Sequence, residues 1–158
     1  RAQVAATLEA VRRLGRRTYW FWPNVDAGSD GTSNGIRRFR ESGNAKNFHF
    51  FKHMDSKDFL RLLLSSRGIV GNSSVAIREC SYLGVPAVNI GSRQLGRERG
   101  RNVIDVEHDR AAIAAAVRQH LGDGRPQPDH LYGDGRAGER IAETLATTEL
   151  RIEKRLTY

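Results

Sequence analysis

Ser73, Ser74, Glu79 and Arg93 are the residues whose types and spacing can do chemistry. They lie within Gly68 to Val106, GIVGNSSVAIRECSYLGVPAVNIGSRQLGRERGRNVIDV. This stretch reads as strand, polar turn, helix, strand, basic glycine loop, strand. Gly71-Asn72-Ser73-Ser74 is a turn with an N-cap at its end. Val75 to Leu83 has helical spacing, with Ile77 and Cys80 inward, Leu83 as a further candidate, and Gly84 as the stop. A helix that begins just after a strand offers unpaired N–H groups and the positive end of its dipole. With two hydroxyls in its first turn, that arrangement favours an anion such as phosphate. Glu79 lies five residues beyond Ser74, roughly 7.5 Å along a helix rising about 1.5 Å per residue. There a carboxylate can accept hydrogen bonds from a ribose diol while phosphates occupy the helix start. Arg93, in the loop after the next strand, can fork onto a phosphate. Each residue also has an ordinary reading: serine caps helices, and a helical glutamate usually faces solvent. The combination is much less ordinary than any one of them.

The elements that must position these residues can be read from the apolar pattern. Ala2 to Leu14 is an amphipathic helix with Val4, Leu8, Val11 and Leu14 in one stripe, stopped by Gly15. Thr18 to Trp22 (TYWFW) reads as a buried strand. Pro23-Asn24 ends it, and VDAGSDGTSNG continues as a turn-rich loop. Asn34 to Glu41 reads as a short basic helix with Ile36 and Phe39 inward. Asn47 to Phe51 is the next strand, and Lys52-His53-Met54 comes after it. Asp55 or Ser56 caps a helix whose Phe59, Leu60, Leu62, Leu63 and Leu64 predict deep burial. Pro86 to Ile90 and Asn102 to Val106 are further strands. Asp109 caps an alanine-rich helix to about Leu121, ended by Gly122. Asp134 to Leu156 reads as a long helix with Ile141, Leu145 and Ile152 inward. Apolar runs alternating with helices predict an α/β fold: one doubly wound, Rossmann-like parallel sheet of five strands in a single domain, 1–158. In such a sheet ligands bind beyond the carboxyl ends of the strands. Those ends are Pro23–Asp30, Lys52–Asp55, Asn72–Ser74 and Gly91–Arg97.

The 158 residues suffice for one domain with a real core. The formal charge is +8, carried mostly by arginine, with four lysines. The basic residues are scattered, and no zinc-finger, RNP-like or helix-turn-helix pattern accompanies them, so a small anionic ligand is expected rather than nucleic acid. The single cysteine, Cys80, excludes an internal disulfide and a cysteine metal cluster, and reads as a small core residue. No apolar run approaches membrane-spanning length. The chain starts at Arg1, partway into a helical pattern, which leads us to expect a piece of something longer. His53 reads as a loop histidine and His49 as packed on its strand. His108, His120 and His130 read as surface residues. Arg97, Arg99 and Arg101 either form a phosphate-attracting rim or pair with Glu98 and Glu107. Asp26 is a turn former or a ligand group.

The runs GNSS-x-x-I-R-E and LG-V-P-x-V-N-I-G-x-R-Q-x-G-R-E-R-G-x-N-V-I resemble the UDP-N-acetylglucosamine 2-epimerase family, most closely its hydrolysing branch. The resemblance implies a two-domain architecture like that of GT-B glycosyltransferases, with UDP held mainly by the second domain. This chain resembles that second domain without its first strand. On this reading Ser73 and Ser74 contact the diphosphate, Glu79 takes the ribose hydroxyls and Arg93 joins the nucleotide site. Asn24 matches a substrate-contacting asparagine, and Met54 falls where backbone groups read the uracil edge. The family's acid/base groups are carboxylates of the first domain and a histidine near the start of the second. None has a match here, so no catalytic residue is assigned to this chain. The implied reaction is anti elimination of UDP through 2-acetamidoglucal, needing no metal or other cofactor. Water addition then gives free N-acetylmannosamine, or UDP adds back. The resemblance further implies a cytoplasmic homodimer or homotetramer acting on UDP-GlcNAc, with no nucleic-acid or membrane partner. Asp30 stands where members with feedback inhibition by a CMP-sugar have a basic residue, so that regulation is not expected. A reversible epimerase, a GT-B glycosyltransferase domain and a non-catalytic nucleotide-binding module are the alternatives.

Overall fold

Parallel strands with helices on both faces make up the described chain, residues 2–23 and 29–149 of the computed structural model. In order they are α1 (Ala2–Arg13), β1 (Thr18–Phe21), α2 (Ser29–Glu41), β2 (Phe48–Phe51), α3 (Ser56–Ser65) and β3 (Ile69–Gly71). A 3-10 turn (Ser74–Ala76) comes next, then α4 (Glu79–Leu83), β4 (Ala87–Ile90), β5 (Val103–Val106), α5 (Arg110–Asp123) and α6 (Ala137–Thr147). The α/β class, parallel pairing and element order match the sequence reading.

The five strands form two sheets rather than one. β1 pairs with β2, and β3, β4 and β5 pair in that order, all parallel. The two sheets nonetheless share a core. Val70 of β3 packs against the cluster of Leu8, Val11, Ile36 and Phe48 under β1 and β2. The same side chain packs against Ala10, Val88, Ile90 and Ile113. Ile69, its neighbour, packs with Leu63, Cys80 and Val85 on the opposite side, because successive strand residues face opposite ways. The chain is therefore layered, with α1, α2 and α5 on one face and α3 and α4 on the other. Every residue of β4 is buried, as a central strand requires. Removing a Leu8 or Ile113 side chain from water contributes about 1.5–3 kcal/mol each.

Several boundaries and burials differ from expectation. α2 starts at Ser29, inside the segment read as loop. It packs its fully buried Ile36 inward and meets α1 closely at Gly35, where a Cβ would fall 2.5 Å from a methyl of Val4. The TYWF strand is not buried throughout: Trp20 faces the core, while Tyr19 is 41% exposed. In α3 the leucine run does not bury as a whole. Leu63 is buried, but Leu60 and Leu64 lie at 41% and 50% exposure, since a helix has one face against the sheet. α5 continues through Gly122 to Asp123 and is capped at Gly124. α6 covers only Ala137–Thr147 and buries nothing; Ile141 and Leu145 are exposed. Ile152, also expected inward, and the segment containing Asn24 and Asp26 lie outside the described residues.

Candidate functional site

The site is built from the segments that leave the carboxyl ends of β3, β4 and β5. Gly71 ends β3, and the chain turns through Asn72 and Ser73, both exposed, to half-buried Ser74. Ser73 is the cap: its Oγ accepts from the Val75 amide at 3.4 Å. The expected continuous helix from Val75 to Leu83 does not form. A 3-10 turn over Ser74–Ala76 precedes a separate α4 of five residues. Asn102, which is 1% exposed and sits just before β5, is bonded at the break. Its Nδ2 donates to the carbonyls of Ala76 and Val85, each at 3.0 Å. That bond occupies the Ala76 carbonyl that a continuous α-helix would use for its next rung. The anion-binding argument thereby shifts from a long helix dipole to the local amides and hydroxyls of the serine turn.

Glu79 opens α4 instead of lying a turn and a half along a continuous helix. It is half-buried, and its Oε2 is shielded from solvent with no hydrogen-bond partner among the described residues. A carboxylate oxygen so placed has free acceptor capacity. α4 buries Cys80 completely, and burial, reinforced by Glu79, pushes its thiol up to about 12. Cys80 is thus the small core residue expected.

The basic glycine loop leaves β4 at Gly91, whose φ is +74. A Cβ there would fall 2.5 Å from Nε2 of His108, so the imidazole lies directly over the glycine. Its Nδ1 is buried without a partner among the described residues. His108 is therefore not a surface histidine but part of the floor beneath Gly91–Arg93. Ser92 and Arg93 are exposed on that loop. Gln94 turns inward, and its Nε2 donates to the Asn72 carbonyl at 2.7 Å. This bond brings the serine turn and the arginine loop together.

Of the three loop arginines, Arg99 pairs with Asp105 at 2.9 Å, not with Glu98 or Glu107. It also donates to the carbonyls of Arg97, at 2.5 Å, and Gln94, at 3.0 Å. Asp105 accepts from Asn89 Nδ2 at 2.6 Å. Burial tends to raise the Asp105 carboxyl, but the hydrogen bonds from Arg99 and Asn89 outweigh it and hold it below its ordinary value. Arg97 and Arg101 are exposed. Gln94, Asn102 and the Asn89–Asp105 pair were absent from the sequence reading. Their signal was present: Asn89 and Asp105 are polar residues inside otherwise apolar strands, in register with each other.

The remaining candidates are less closely gathered. Met54 is half-buried after β2, on the two-stranded sheet, beside exposed His53. Asn24 lies outside the described residues. His49 is exposed rather than packed inward, and stacks on Tyr19 at 5.4 Å. His120 is half-buried, 3.1 Å from the Ala87 carbonyl. His130 is exposed and stacks on Tyr82 at 4.9 Å. Two grooves of measurable volume lie away from the serine turn: about 510 Å³ between α1 and α2, and about 230 Å³ along α6 beside Ile141 and Leu145. Among the described residues no group of three His, Cys, Asp or Glu could hold a metal ion, and no helix is long and apolar enough to cross a membrane.

Residues 1–146 match the family profile of UDP-N-acetylglucosamine 2-epimerase. The chain is 30% identical over 151 residues to the hydrolyzing UDP-N,N'-diacetylbacillosamine 2-epimerase of Legionella pneumophila, covering 96% of this chain and 39% of that protein. It is 29% identical over 149 residues to the UDP-N-acetylglucosamine 2-epimerase of Neisseria meningitidis serogroup B, covering 92% and 38%. It is 40% identical over 65 residues to the hydrolyzing GDP/UDP-N,N'-diacetylbacillosamine 2-epimerase of Campylobacter jejuni, covering 39% and 17%. The chain thus spans less than two-fifths of the length of each of these relatives.

Proposed function

As the chain belongs to the UDP-N-acetylglucosamine 2-epimerase family, we propose that it is the UDP-binding half of a hydrolysing 2-epimerase acting on UDP-GlcNAc or a related UDP-2-acetamido sugar. The observation that carries this reading is the Gln94–Asn72 bond, which joins a hydroxyl-bearing turn to an arginine loop at neighbouring strand ends. Ser73 and Ser74, with the turn's amides, receive the diphosphate, and Arg93 adds charge from the facing loop. Glu79, half-buried at the start of α4, accepts from the ribose diol with its carboxylate. Met54 marks the backbone that reads the uracil, and Asn24 contacts the sugar.

The reaction on this reading begins with loss of the proton at C2 of the sugar. UDP leaves from C1 in an anti elimination, and 2-acetamidoglucal remains. Negative charge develops on the departing diphosphate, where the serine turn and arginine loop supply fixed donors. Water then adds to the glycal and the free 2-epimeric sugar leaves. The groups that move protons are carboxylates of a facing domain and a histidine near the start of this one, none of them matched in these residues, and the 158-residue chain by itself turns nothing over. The hydrolysing assignment draws on the GSRQLGRERG loop, Gly91 to Gly100, and on the hydrolyzing activity of two of the relatives.

The break between the two sheets fits the same reading. α1 lies on the face that carries α2, and it leads into β1 as α2 leads into β2. A right-handed crossover through α1 starts from a strand on the side of β1 away from β2. We place that side at the break between the two sheets. We take it as the berth of one more parallel strand, so that the sheet is single in the longer protein. That protein we place in the cytoplasm as a homodimer or homotetramer, with no cofactor and no nucleic-acid or membrane partner. Proton NMR of the full-length protein with UDP-GlcNAc tests the function: UDP and free N-acetylmannosamine should accumulate. Accumulation of UDP-N-acetylmannosamine at equilibrium with substrate and no free sugar makes it a reversible epimerase. Transfer only to an added acceptor makes it a glycosyltransferase.

A further inference from the structure

Gln94 sits between Arg93, which faces solvent, and Leu95, which is 82% exposed, yet Gln94 itself is 4% exposed. A polar side chain turned inward from an exposed loop costs its hydration unless it is bonded. Its carboxamide has one bond, from Nε2 to the Asn72 carbonyl at 2.7 Å. A carbonyl acceptor fixes the orientation of the amide, since only the NH2 end can donate. Oε1 is buried and has no partner among the described residues. The Gln94 carbonyl is held in turn by Arg99 Nη2 at 3.0 Å, and Arg99 is anchored on Asp105. A continuous set of bonds thus runs from the sheet through Arg99 and Gln94 to the residue before Ser73.

We propose that Gln94 is a positioning residue that sets the distance between the serine turn and the Arg93 loop, and so selects a diphosphate over a monophosphate. This rests on the reading of the chain as UDP-binding. Its carboxamide is buried and does not touch the ligand; it acts through Asn72. A monophosphate satisfies one loop alone and is indifferent to their spacing. A diphosphate bridges both and loses affinity when the spacing is free to vary. Asn72 is exposed, so water can replace Gln94 at its carbonyl and the fold should survive the loss of the bond.

The test is titration calorimetry of UDP and UMP on the full-length protein, wild type against Gln94→Met, with thermal melts of both. Wild type should bind UDP more tightly than UMP. Gln94→Met should lose roughly tenfold in UDP affinity, the scale of one buried hydrogen bond, and change little for UMP, with its melting temperature nearly kept. An unchanged UDP-to-UMP preference in a folded Gln94→Met protein overturns the role of Gln94 and leaves the functional reading standing. Absence of UDP binding by wild type overturns the functional reading itself. If Gln94→Met does not fold, side-chain amide NMR of the wild type decides. The Gln94 NH2 signals and the Ser73 and Ser74 amides should respond to UDP at one common saturation and much less to UMP. Equal responses to both nucleotides overturn the proposal.

Discussion

Asn89 and Asp105 face each other across the β4–β5 ladder, and Asn89 Nδ2 donates to Asp105 Oδ1 at 2.6 Å. Asn89 is 1% exposed, so its amide has no solvent to fall back on. Asp105 reaches outward from the same contact to hold Arg99. One carboxylate therefore holds the amide nitrogen of a buried strand residue and anchors the loop that carries Arg93.

Asp105→Ala should destabilise the protein by about 1–3 kcal/mol, the scale of leaving a buried polar group unpaired. Urea unfolding measures it. Arg99→Ala removes the loop anchor but keeps the Asn89–Asp105 bond, so its midpoint should fall less. Equal losses in the two variants contradict the assignment of the cost to Asn89.

Acid should weaken the fold partly through this carboxylate. Asp105 is held below its ordinary value of 3.8 in the folded protein. Its contribution is present above that value and is lost as pH falls through the depressed folded value. Glu9, drawn down to about 2 by Arg12 and Arg13, and Asp134, drawn down to about 2 by Arg140 and the Arg136 amide, act in the same direction. Both of those pairs are open to solvent and should weaken with added salt. Asp105→Asn should flatten the loss of stability below about pH 4. An unchanged acid slope places the sensitivity elsewhere.

Cys80 should ignore thiol reagents in the folded protein. It is fully buried, and at about 12 its thiol stays protonated at neutral pH. Ellman's reagent at about pH 8, near the ordinary thiol pKa, should react only as the protein unfolds, with a rate that rises with urea. Prompt stoichiometric reaction in buffer contradicts the packing of α4.

Gly91→Ala should cost more than Gly96→Ala, although both glycines have positive φ. The left-handed conformation alone costs an alanine about 1–2 kcal/mol. At Gly91 the new methyl also meets the His108 ring, whereas at Gly96 nothing lies within 4 Å. Gly91→Ala with His108→Ala should recover the excess and leave the conformational part. Failure of the double variant to recover anything means that His108 does not limit residue 91.

Glu79→Gln should weaken UDP binding while leaving pyrophosphate binding unchanged, since pyrophosphate carries no ribose. Calorimetry with both ligands separates the cases. Equal weakening of both shows that Glu79 acts through general electrostatics or local structure.

The parallel α/β plan was legible because apolar runs such as AVNI mark central strands regardless of what surrounds them. The serine turn, Glu79 and the arginine loop were legible as residues, and the course of the backbone through them was not. At the break between Ala76 and Glu79 the Ala76 carbonyl accepts from Asn102, 26 residues further on, and local helical spacing carries no trace of a distant amide. Leu60 and Leu64 misled for a related reason: a run of leucines shows affinity for a core without showing how many faces the core offers. The Asn89–Asp105 pair needed knowledge of strand register. The break between the two sheets appears only when strand pairing in space is set against strand order in sequence.

α1 has consequences for the timing of folding. Its Leu8 and Val11 pack with Ile36 and Phe48, while Ala10 packs with Ile113 and Ala116. During synthesis the first set of partners leaves the ribosome early and the second only when α5 has been made. Until then the Ala10 side of α1 and the inner face of β4 are uncovered. Such long-separation contacts slow folding and expose apolar surface to other chains. Ribosome-bound intermediates that stop short of α5 are accordingly where this chain is most open to aggregation and to capture by chaperones.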